Sequence, residues 1–376
     1  MDNENFYERL GSYFVSEDES QTADYVNNNI NSKLFNRLRI KIEIEIIGTS
    51  DPTGEQVSTY RISKIHVAKK DRTLEKDKNI NAFISDIEDI NKNLQESNNF
   101  YNYKAGKNGW TIFFLLKELI TTCQNLHYNY FRGQAKNWPI MPSIFRNKTN
   151  KYGKYIYEEF ERDYKDICRE FPDNLKYIPL EKEYIGKRAD ELAVLQHYGF
   201  PTSLIDITDN PFIALMFMSC FEKMDNPCLI CYRINSDESL NNSLVSLVDK
   251  LDVNKRIKAQ RGAFLNYDKL SYLFDFQKNM LVPKNIYCPI DMITFEICLS
   301  EVGIDDSNKE SKERKEHYEL LRNELVRKLN EFGYYPSHLF PDFDDYIKYK
   351  SEEFKLNSQK IAHIPNNIDK IMDQDK

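Results

Sequence analysis

A short segment of the chain places an arginine, a glycine and a glutamine in consecutive positions. It runs Tyr130-Phe-Arg-Gly-Gln134 and is followed by Trp138-Pro-Ile-Met-Pro-Ser-Ile-Phe-Arg146. An arginine at the end of a short strand can point its planar guanidinium into a cleft, where it suits a carboxylate or a phosphate. Gly133 would let another backbone or a ligand approach closely. The candidate anion-binding residues of this segment are Arg132, Gln134 and Arg146.

A second polar segment joins two predicted helices. It runs from Glu191 to Leu215 with the sequence ELAVLQHYGFPTSLIDITDNPFIAL. Polar groups near a helix N-terminus, where backbone N–H groups lack partners, suit an anion. The candidate residues of this segment are Gln196, His197, Tyr198, Thr202, Asp206, Thr208 and Asp209. We expect Arg132 and Gln134 to converge in one site with four of them, Gln196, His197, Thr202 and Asp206.

Each of these residues also has a structural interpretation. Arg132 could form a buried salt bridge with Asp206 that holds the fold together. Aspartate and threonine favour capping and turn positions for local reasons. A lone histidine at a helix end, such as His197, is more often a hydrogen-bonded structural residue than a base. By residue type alone, the structural interpretation of Arg132 ranks somewhat above the ligand-binding one.

Together the two segments resemble the FRG domain family, which is named for its aromatic-Arg-Gly motif. Two further pieces are similar to that family, the segment KAQRGAF from Lys258 and the segment LNEFGYYPSHLFPD from Leu329. The resemblance covers roughly residues 105 to 350 and implies a bacterial protein linked to phage defence or conflict systems. This chain departs from the family pattern at Ser203, where a basic residue is usual, and at Ile207, where a tryptophan is usual.

A more distant comparison is with the ADP-ribosyltransferases, which consume NAD. Arg132, Thr202-Ser203 and the region of Gln260 follow a loosely similar order. Gln260 stands where those enzymes carry a glutamate, and a neutral amide stabilises positive charge less well. By this analogy NAD is a candidate ligand, and the catalytic candidates are Arg132, His197, Asp206 and Gln260.

The composition argues against several other classes of protein. The chain has 52 basic and 59 acidic residues and a net charge of −7, which disfavours a duplex nucleic-acid binder. No apolar run is long enough for a membrane helix, and the polar N-terminus predicts a cytoplasmic protein without a signal peptide. The seven cysteines are scattered, and the Cys228–Cys231 pair lies in a predicted strand. We therefore predict no metal site.

The apolar periodicity predicts the elements that position these residues. Alternation predicts an antiparallel hairpin from strands at 38–47 and 57–67, with a bulge between Ile62 and Ile65. Helical spacing follows at 80–94, 110–126, 157–171, 189–198 and 309–332. Asn210 and Pro211 are expected to start one more helix, and the last residues from about 358 to be frayed.

These features predict an α+β fold in which an N-terminal β-hairpin with a helix precedes a largely helical FRG domain around a small β-sheet. The expected parts are an N-terminal region at 1–100, an FRG domain at 105–350 and a C-terminal tail at 351–376. Three functions stay open. In the first, the cleft around Arg132 and Asp206 binds a nucleotide-like anion and acts on it. In the second, the motif residues are structural and the protein recognises a protein partner. The third is single-stranded nucleic-acid binding through a tyrosine-rich surface.

Overall fold

The structure is a computed structural model of the chain. It describes residues 3–12, 19–50, 56–100, 111–146, 156–221, 223–234, 243–247, 259, 261–277, 280–284, 287–300, 310–339, 346–347, 350–351 and 354. The expected frayed end beyond residue 358 lies outside the described residues.

The described chain contains both helices and strands. The α-helices are α1 (Asn3–Gly11), α2 (Glu19–Tyr25), α3 (Ser32–Leu34), α4 (Lys78–Phe100), α5 (Ile112–Asn125), α6 (Ile156–Glu170), α7 (Ile185–His197), α8 (Pro211–Ser219), α9 (Leu270–Leu273) and α10 (Glu310–Glu331). The strands are β1 (Phe35–Ser50), β2 (Gln56–Lys70), β3 (Tyr130–Gln134), β4 (Leu204–Thr208), β5 (Cys228–Arg233), β6 (Val245–Ser246), β7 (Gly262–Asn266), β8 (Phe274–Gln277), β9 (Met280–Pro283) and β10 (Ile290–Leu299).

The predicted N-terminal hairpin is confirmed. Strands β1 and β2 pair in antiparallel register, and every second residue of β1 from Leu38 to Ile44 is fully buried. Glu43 pairs with Lys64 and Ile44 pairs with Ile62, so Ser63 is the extra residue of a bulge at the predicted place. The strict alternation of isoleucines with charged residues therefore sets both the strand and its buried face.

The predicted start of helix α8 is also confirmed. The side chain of Asn210 accepts a hydrogen bond from the backbone N–H of Phe212 at 2.9 Å, and Pro211 occupies the first helical position. An asparagine cap satisfies one of the N–H groups that have no partner inside the helix. This cap fixes the start of α8 at Pro211, three residues after Thr208, the last residue of β4.

Eight of the strands form one mixed sheet in the order β2-β1-β10-β5-β3-β4-β7-β6, and β8 pairs with β9 in a separate ribbon. Strand β1 runs parallel to β10, while the other neighbouring strands are antiparallel. One apolar cluster includes Cys228 and Ile230 of β5, and the other includes Leu229 and Cys231. Since successive side chains of a strand point to opposite faces, the sheet separates the two clusters.

The α+β class is confirmed, but the small sheet that the sequence predicted is not, since the sheet has eight strands. The central strand β10 was not predicted. Its sequence, IDMITFEICL, is buried on both faces over most of its length. Asp291, Thr294 and Glu296 interrupt its apolar residues, yet Thr294 and Glu296 are buried. The pattern therefore matches neither a continuous apolar run nor a strand with one solvent-exposed face.

The N-terminal hairpin shares this sheet with the rest of the chain, because β1 pairs with β10 along ten residues from Phe35–Ile290 to Ile44–Leu299. The expected domain boundary near residue 100 stays a prediction. The shared sheet shows that the two parts contact each other, but it does not show whether either part folds without the other. Among the described helices, none is sufficiently long and apolar to cross a bilayer.

A fragment that starts at Thr111 tests this boundary. Removing β1 and β2 strips the pairing partner from β10 and uncovers Ile293, Phe295 and Ile297, which are fully buried in the whole chain. Unpaired apolar edge strands drive aggregation, so we expect the fragment to be insoluble or aggregated by size-exclusion chromatography, beside a soluble full-length control. A monomeric fragment with a cooperative thermal transition would instead support an independent C-terminal domain.

Candidate anion-binding site

The sheet splits open between β3 and β4. Strand β3 pairs with β5 along all five of its residues, from Tyr130 to Gln134. Both β3 and β4 are fully described, yet the one paired position between them is Phe131 with Thr208. The two strands therefore diverge beyond that point, and a gap opens where a continuous ladder would otherwise run.

Helix α8 lies directly against β3 at Gly133. A Cβ atom added at Gly133 would stand 1.7 Å from the carbonyl oxygen of Ala214 and 2.9 Å from the backbone nitrogen of Met218. Both obstacles are backbone atoms of the helix, which cannot rotate away as a side chain could. The glycine of the motif is thus required for the close approach of a helix, as its residue type predicted, and this contact positions Arg132 and Gln134 on either side of it.

Arg132 bridges the gap between the two strands. Its Nη1 donates a hydrogen bond of 2.7 Å to the main-chain carbonyl oxygen of Asp206. The alternative of a buried salt bridge with Asp206 required a sealed guanidinium, but Arg132 is half-buried and Asp206 is exposed. The link that holds the two strands together here runs from side chain to main chain.

A chain of hydrogen bonds holds the Asp206 carboxylate in place. The amide nitrogen of Gln196 donates to Asp206 Oδ2 at 2.8 Å, and the hydroxyl of Thr202 donates to the Gln196 amide oxygen at 2.6 Å. Thr202 is fully buried, which anchors this chain in the protein interior. Gln196, Thr202 and Asp206 therefore converge beside Arg132, as the sequence predicted.

The two polar segments of the sequence are bonded to each other. The backbone N–H of Thr202 donates to the hydroxyl of Ser143 at 2.9 Å, and the backbone N–H of Ile144 donates to the Thr202 carbonyl at 3.1 Å. This contact fixes the short 3-10 helix Ser143–Arg146. Arg146, at its end, donates from Nε and Nη2 to the carbonyl oxygen of Met141, which orients its guanidinium.

Arg132, Arg146 and Asp206 line a cavity of about 230 Å³ at the split, whereas Gln196 and Thr202 are not among its lining residues. Two guanidinium groups and one carboxylate line it, so its formal charge is positive. The lining residues are Phe131, Arg132, Gly133, Gln134, Ala135, Trp138, Arg146, Asp206, Ile207, Thr208, Ala214, Phe217, Phe221, Gly262 and Phe264. An open cavity with two cations and an aromatic wall suits an anion that also carries a flat apolar part.

Gln134 is the most buried polar side chain of the cavity. It is 3% exposed, and its amide oxygen lies 3.5 Å from the thiol of Cys228 on the neighbouring strand β5. Burial, aided by the negative charge of Glu296, raises the pKa of Cys228 to about 12, although Arg132 and Arg39 act in the opposite direction. The thiol is thus protonated at neutral pH and donates to the amide oxygen.

Several predicted site residues lie apart from this cavity. His197 packs edge-on against the ring of Tyr198, with 5.0 Å between the ring centroids. Tyr198 lines a different, largely apolar groove with Phe171 and Phe200. Asp209 is ion-paired with Arg261 at 2.7 Å. Gln260 lies outside the described residues, whereas Thr208 lines the cavity as expected.

Sequence reasoning missed the arginine that does form a sealed ion pair. Arg188 is fully buried, and its Nε donates to Asp268 at 2.7 Å while Nη2 contacts Glu161. Burial alone would lower its pKa, but the charges of Asp268 and Glu161 outweigh burial and raise the pKa. The available sequence signal was a charged residue, Arg188, among the apolar residues of helix α7.

Sequence reasoning also missed the aromatic wall of the cavity. Phe217, on helix α8, and Phe221, just beyond its end, lie within 5.6 Å of each other by ring centroids and both line the cavity. They are four residues apart, which puts them on one side of a helical turn. Their apolar neighbours in FIALMFMSCF gave no sign of which residues face a cavity rather than the core.

Gly133→Ala should destabilise the protein strongly, because the new methyl group overlaps the backbone of α8. We expect the free energy of unfolding to fall by about 3 kcal/mol or more, measured by urea denaturation. The matched control is Gly186→Ala in helix α7, where an added Cβ meets nothing within 4 Å. That variant should be neutral or gain about 0.5–1 kcal/mol. Equal stability of the two variants would contradict the close approach.

Comparison with known proteins identifies one region of the chain. No curated protein and no solved structure matches the chain. The model of the FRG domain family matches residues 127–226, a range that contains β3, β4, α8 and the residues Arg132, Arg146 and Asp206. Within that range the match supports the resemblance drawn from the motifs, and residues 127–226 are similar to the FRG domain family.

Proposed function

We propose that the cavity in the split between β3 and β4 binds a small nucleotide-like anion. The observation that carries the proposal is the pair of arginines, Arg132 and Arg146, that line one cavity with an aromatic wall. Arginine presents a planar set of donors that matches the oxygens of a carboxylate or phosphate in pairs. A single buried cation would serve the fold equally well, whereas two cations around a cavity favour an anionic ligand.

The hydrogen bond that Arg132 makes within the site leaves donor capacity for such a ligand. A guanidinium carries five N–H donors. Arg132 uses its Nη1 on the Asp206 carbonyl, and Arg146 uses Nε and Nη2 on the Met141 carbonyl. These bonds orient both groups before a ligand arrives, which reduces the entropic cost of binding.

The uncharged part of the ligand would contact aromatic side chains. Trp138 is 38% exposed and lines the cavity, and Phe217 and Phe221 form part of its wall. Lys136 lies over the Trp138 ring, 5.6 Å from its centroid, which places a further cation beside this aromatic side chain. Stacking of a nucleobase on such rings is favourable and tolerates different bases.

The size of the cavity limits the ligand. A volume of about 230 Å³ lies below the range of roughly 300–1,000 Å³ that is usual for sites of drug-sized ligands. Among nucleotides, a nucleoside monophosphate is the smallest and is therefore the best match. NAD is a wider candidate, and one of its halves would occupy the cavity while the other lay outside.

Catalysis on such a ligand is a further proposal within this account. Asp206 lines the same cavity as the two arginines, and a hydrogen bond from Gln196 orients its carboxylate. An NAD-consuming activity would need an acid of this kind, because Gln260 is neutral. The proposed role as a bacterial effector of phage defence has its support in the family resemblance alone.

A protein-recognition module is the second candidate, and one observation favours it. Phe171 and Tyr198 are 60% and 77% exposed, and they line a largely apolar groove of about 610 Å³ away from the arginine cavity. Exposed aromatic residues around a groove are typical of protein contact surfaces. Tyr198 belongs to the motif segment, so this groove lies in the same domain.

Arg132→Ala should abolish most ligand binding with little loss of stability. We expect affinity for a nucleoside monophosphate, measured by isothermal titration calorimetry, to fall at least about tenfold, since charge-assisted hydrogen bonds are lost. Stability should fall by no more than about 1 kcal/mol, because one hydrogen bond of a half-buried side chain disappears. Arg132→Lys keeps the charge without the planar fork, so its affinity for the nucleotide should lie between those of wild type and Arg132→Ala.

Two other arginines supply the controls. Arg169→Ala removes a 72%-exposed guanidinium of helix α6 and should change neither quantity. Arg188→Ala breaks the buried pair with Asp268 and should cost about 3–5 kcal/mol of stability. A destabilised Arg132→Ala protein, or one that binds nucleotides as well as wild type does, would favour the protein-recognition module. A preference for single-stranded oligonucleotides with a steep salt dependence would favour the third hypothesis.

A further inference from the structure

Gln134 has a donor group for which the described residues supply no partner. Its side chain is 3% exposed and lines the arginine cavity. Within the described part of the chain, its amide nitrogen makes no hydrogen bond. A buried polar group without a partner costs free energy, and an apolar side chain of the same length would avoid that cost.

The neighbouring thiol fixes which end of the amide is left unpaired. Cys228 lies opposite Gln134 in the register of β3 and β5, and its thiol is 3.5 Å from the amide oxygen. The raised pKa of Cys228 keeps the thiol protonated, so it supplies a hydrogen-bond donor to that oxygen. The amide oxygen is then engaged, and the two N–H groups of the amide remain as donors.

We propose that Gln134 recognises a carbonyl oxygen on the uncharged part of the ligand while Arg132 binds its anionic group. This inference rests on the proposed function and adds the chemical class of the ligand, a nucleotide whose base carries a carbonyl acceptor. The two residues lie two positions apart on β3 and so face the same side of the strand. Their Cα atoms are then about 7 Å apart, a separation that a nucleoside monophosphate can span.

The cost of leaving the amide unpaired supports a role in recognition. Sites that place a buried donor against a ligand acceptor reject analogues lacking the acceptor, because the donor then stays unpaired. A glutamine held for structure alone would be expected to use its nitrogen within the protein, as Gln196 does towards Asp206. Gln134 is therefore a specificity-determining residue of the cavity.

Inosine and adenosine monophosphates provide the test, because they differ at the ring position that carries a carbonyl in one and an amino group in the other. We expect wild-type protein to prefer inosine monophosphate by about tenfold, the effect of one well-placed hydrogen bond. Gln134→Met keeps the length of the side chain and removes its polar atoms. It should bring the two affinities to within about twofold of each other while its Tm stays equal to or above that of wild type.

Cys228 provides a second pair of variants. Cys228→Ser retains a donor to the amide oxygen and should keep the preference for inosine monophosphate. Cys228→Ala frees the amide to turn and should weaken that preference, whereas Arg132 variants should weaken binding of both nucleotides alike. A structural role for Gln134 would instead lower the Tm of Gln134→Met and leave the ratio of affinities unchanged.

The outcomes separate this inference from the proposed function. Binding of both nucleotides that depends on Arg132, with a ratio that Gln134→Met does not alter, would overturn the recognition role and leave the anion site intact. A wild-type protein that binds neither nucleotide would overturn the proposed function and this inference with it. A preference for inosine monophosphate that Gln134→Met abolishes at unchanged Tm would support both.

Discussion

The site depends on the contact between helix α8 and Gly133. The helix backbone approaches so closely that a methyl group at this position would overlap the Ala214 carbonyl at 1.7 Å. With α8 seated there, β3 stays paired with β5, while β4, which leads into α8, meets β3 at a single position. The resulting gap holds the cavity, and the residues on either side of Gly133 are Arg132 and Gln134. A backbone constraint in the core thus determines which polar side chains border the cavity.

The chain uses two arginines of the same domain in different ways. Arg188 is sealed in the interior between Asp268 and Glu161, where an uncompensated charge would be costly. Arg132 bonds a main-chain carbonyl at the edge of a cavity and keeps further donors available. The difference lies in their surroundings and not in residue type, because the environment decides whether a guanidinium stabilises the fold or meets a ligand. The sequence alone leaves both roles open for Arg132.

Local signals predicted the elements whose patterns are self-contained. The isoleucine alternation of β1, the Asn210 cap and the convergence of Gln196, Thr202 and Asp206 all follow from residues close in sequence. The parallel pairing of β1 with β10 joins segments about 250 residues apart, and nothing in either pattern specifies that partner. The sealed role of Arg188 and the aromatic wall of Phe217 and Phe221 likewise depend on tertiary contacts. Residues at the end of α7, His197 and Tyr198, were assigned to the site by proximity in sequence, and the helix end directs them elsewhere.

A crystal structure of the protein grown with inosine monophosphate is the most direct test of the central claim. We expect β3 and β4 to remain split, with the phosphate within hydrogen-bond distance of the Arg132 and Arg146 guanidinium groups and the base against Trp138. A continuous ladder of hydrogen bonds between β3 and β4, with the arginine cavity closed and the nucleotide bound elsewhere or absent, would contradict it.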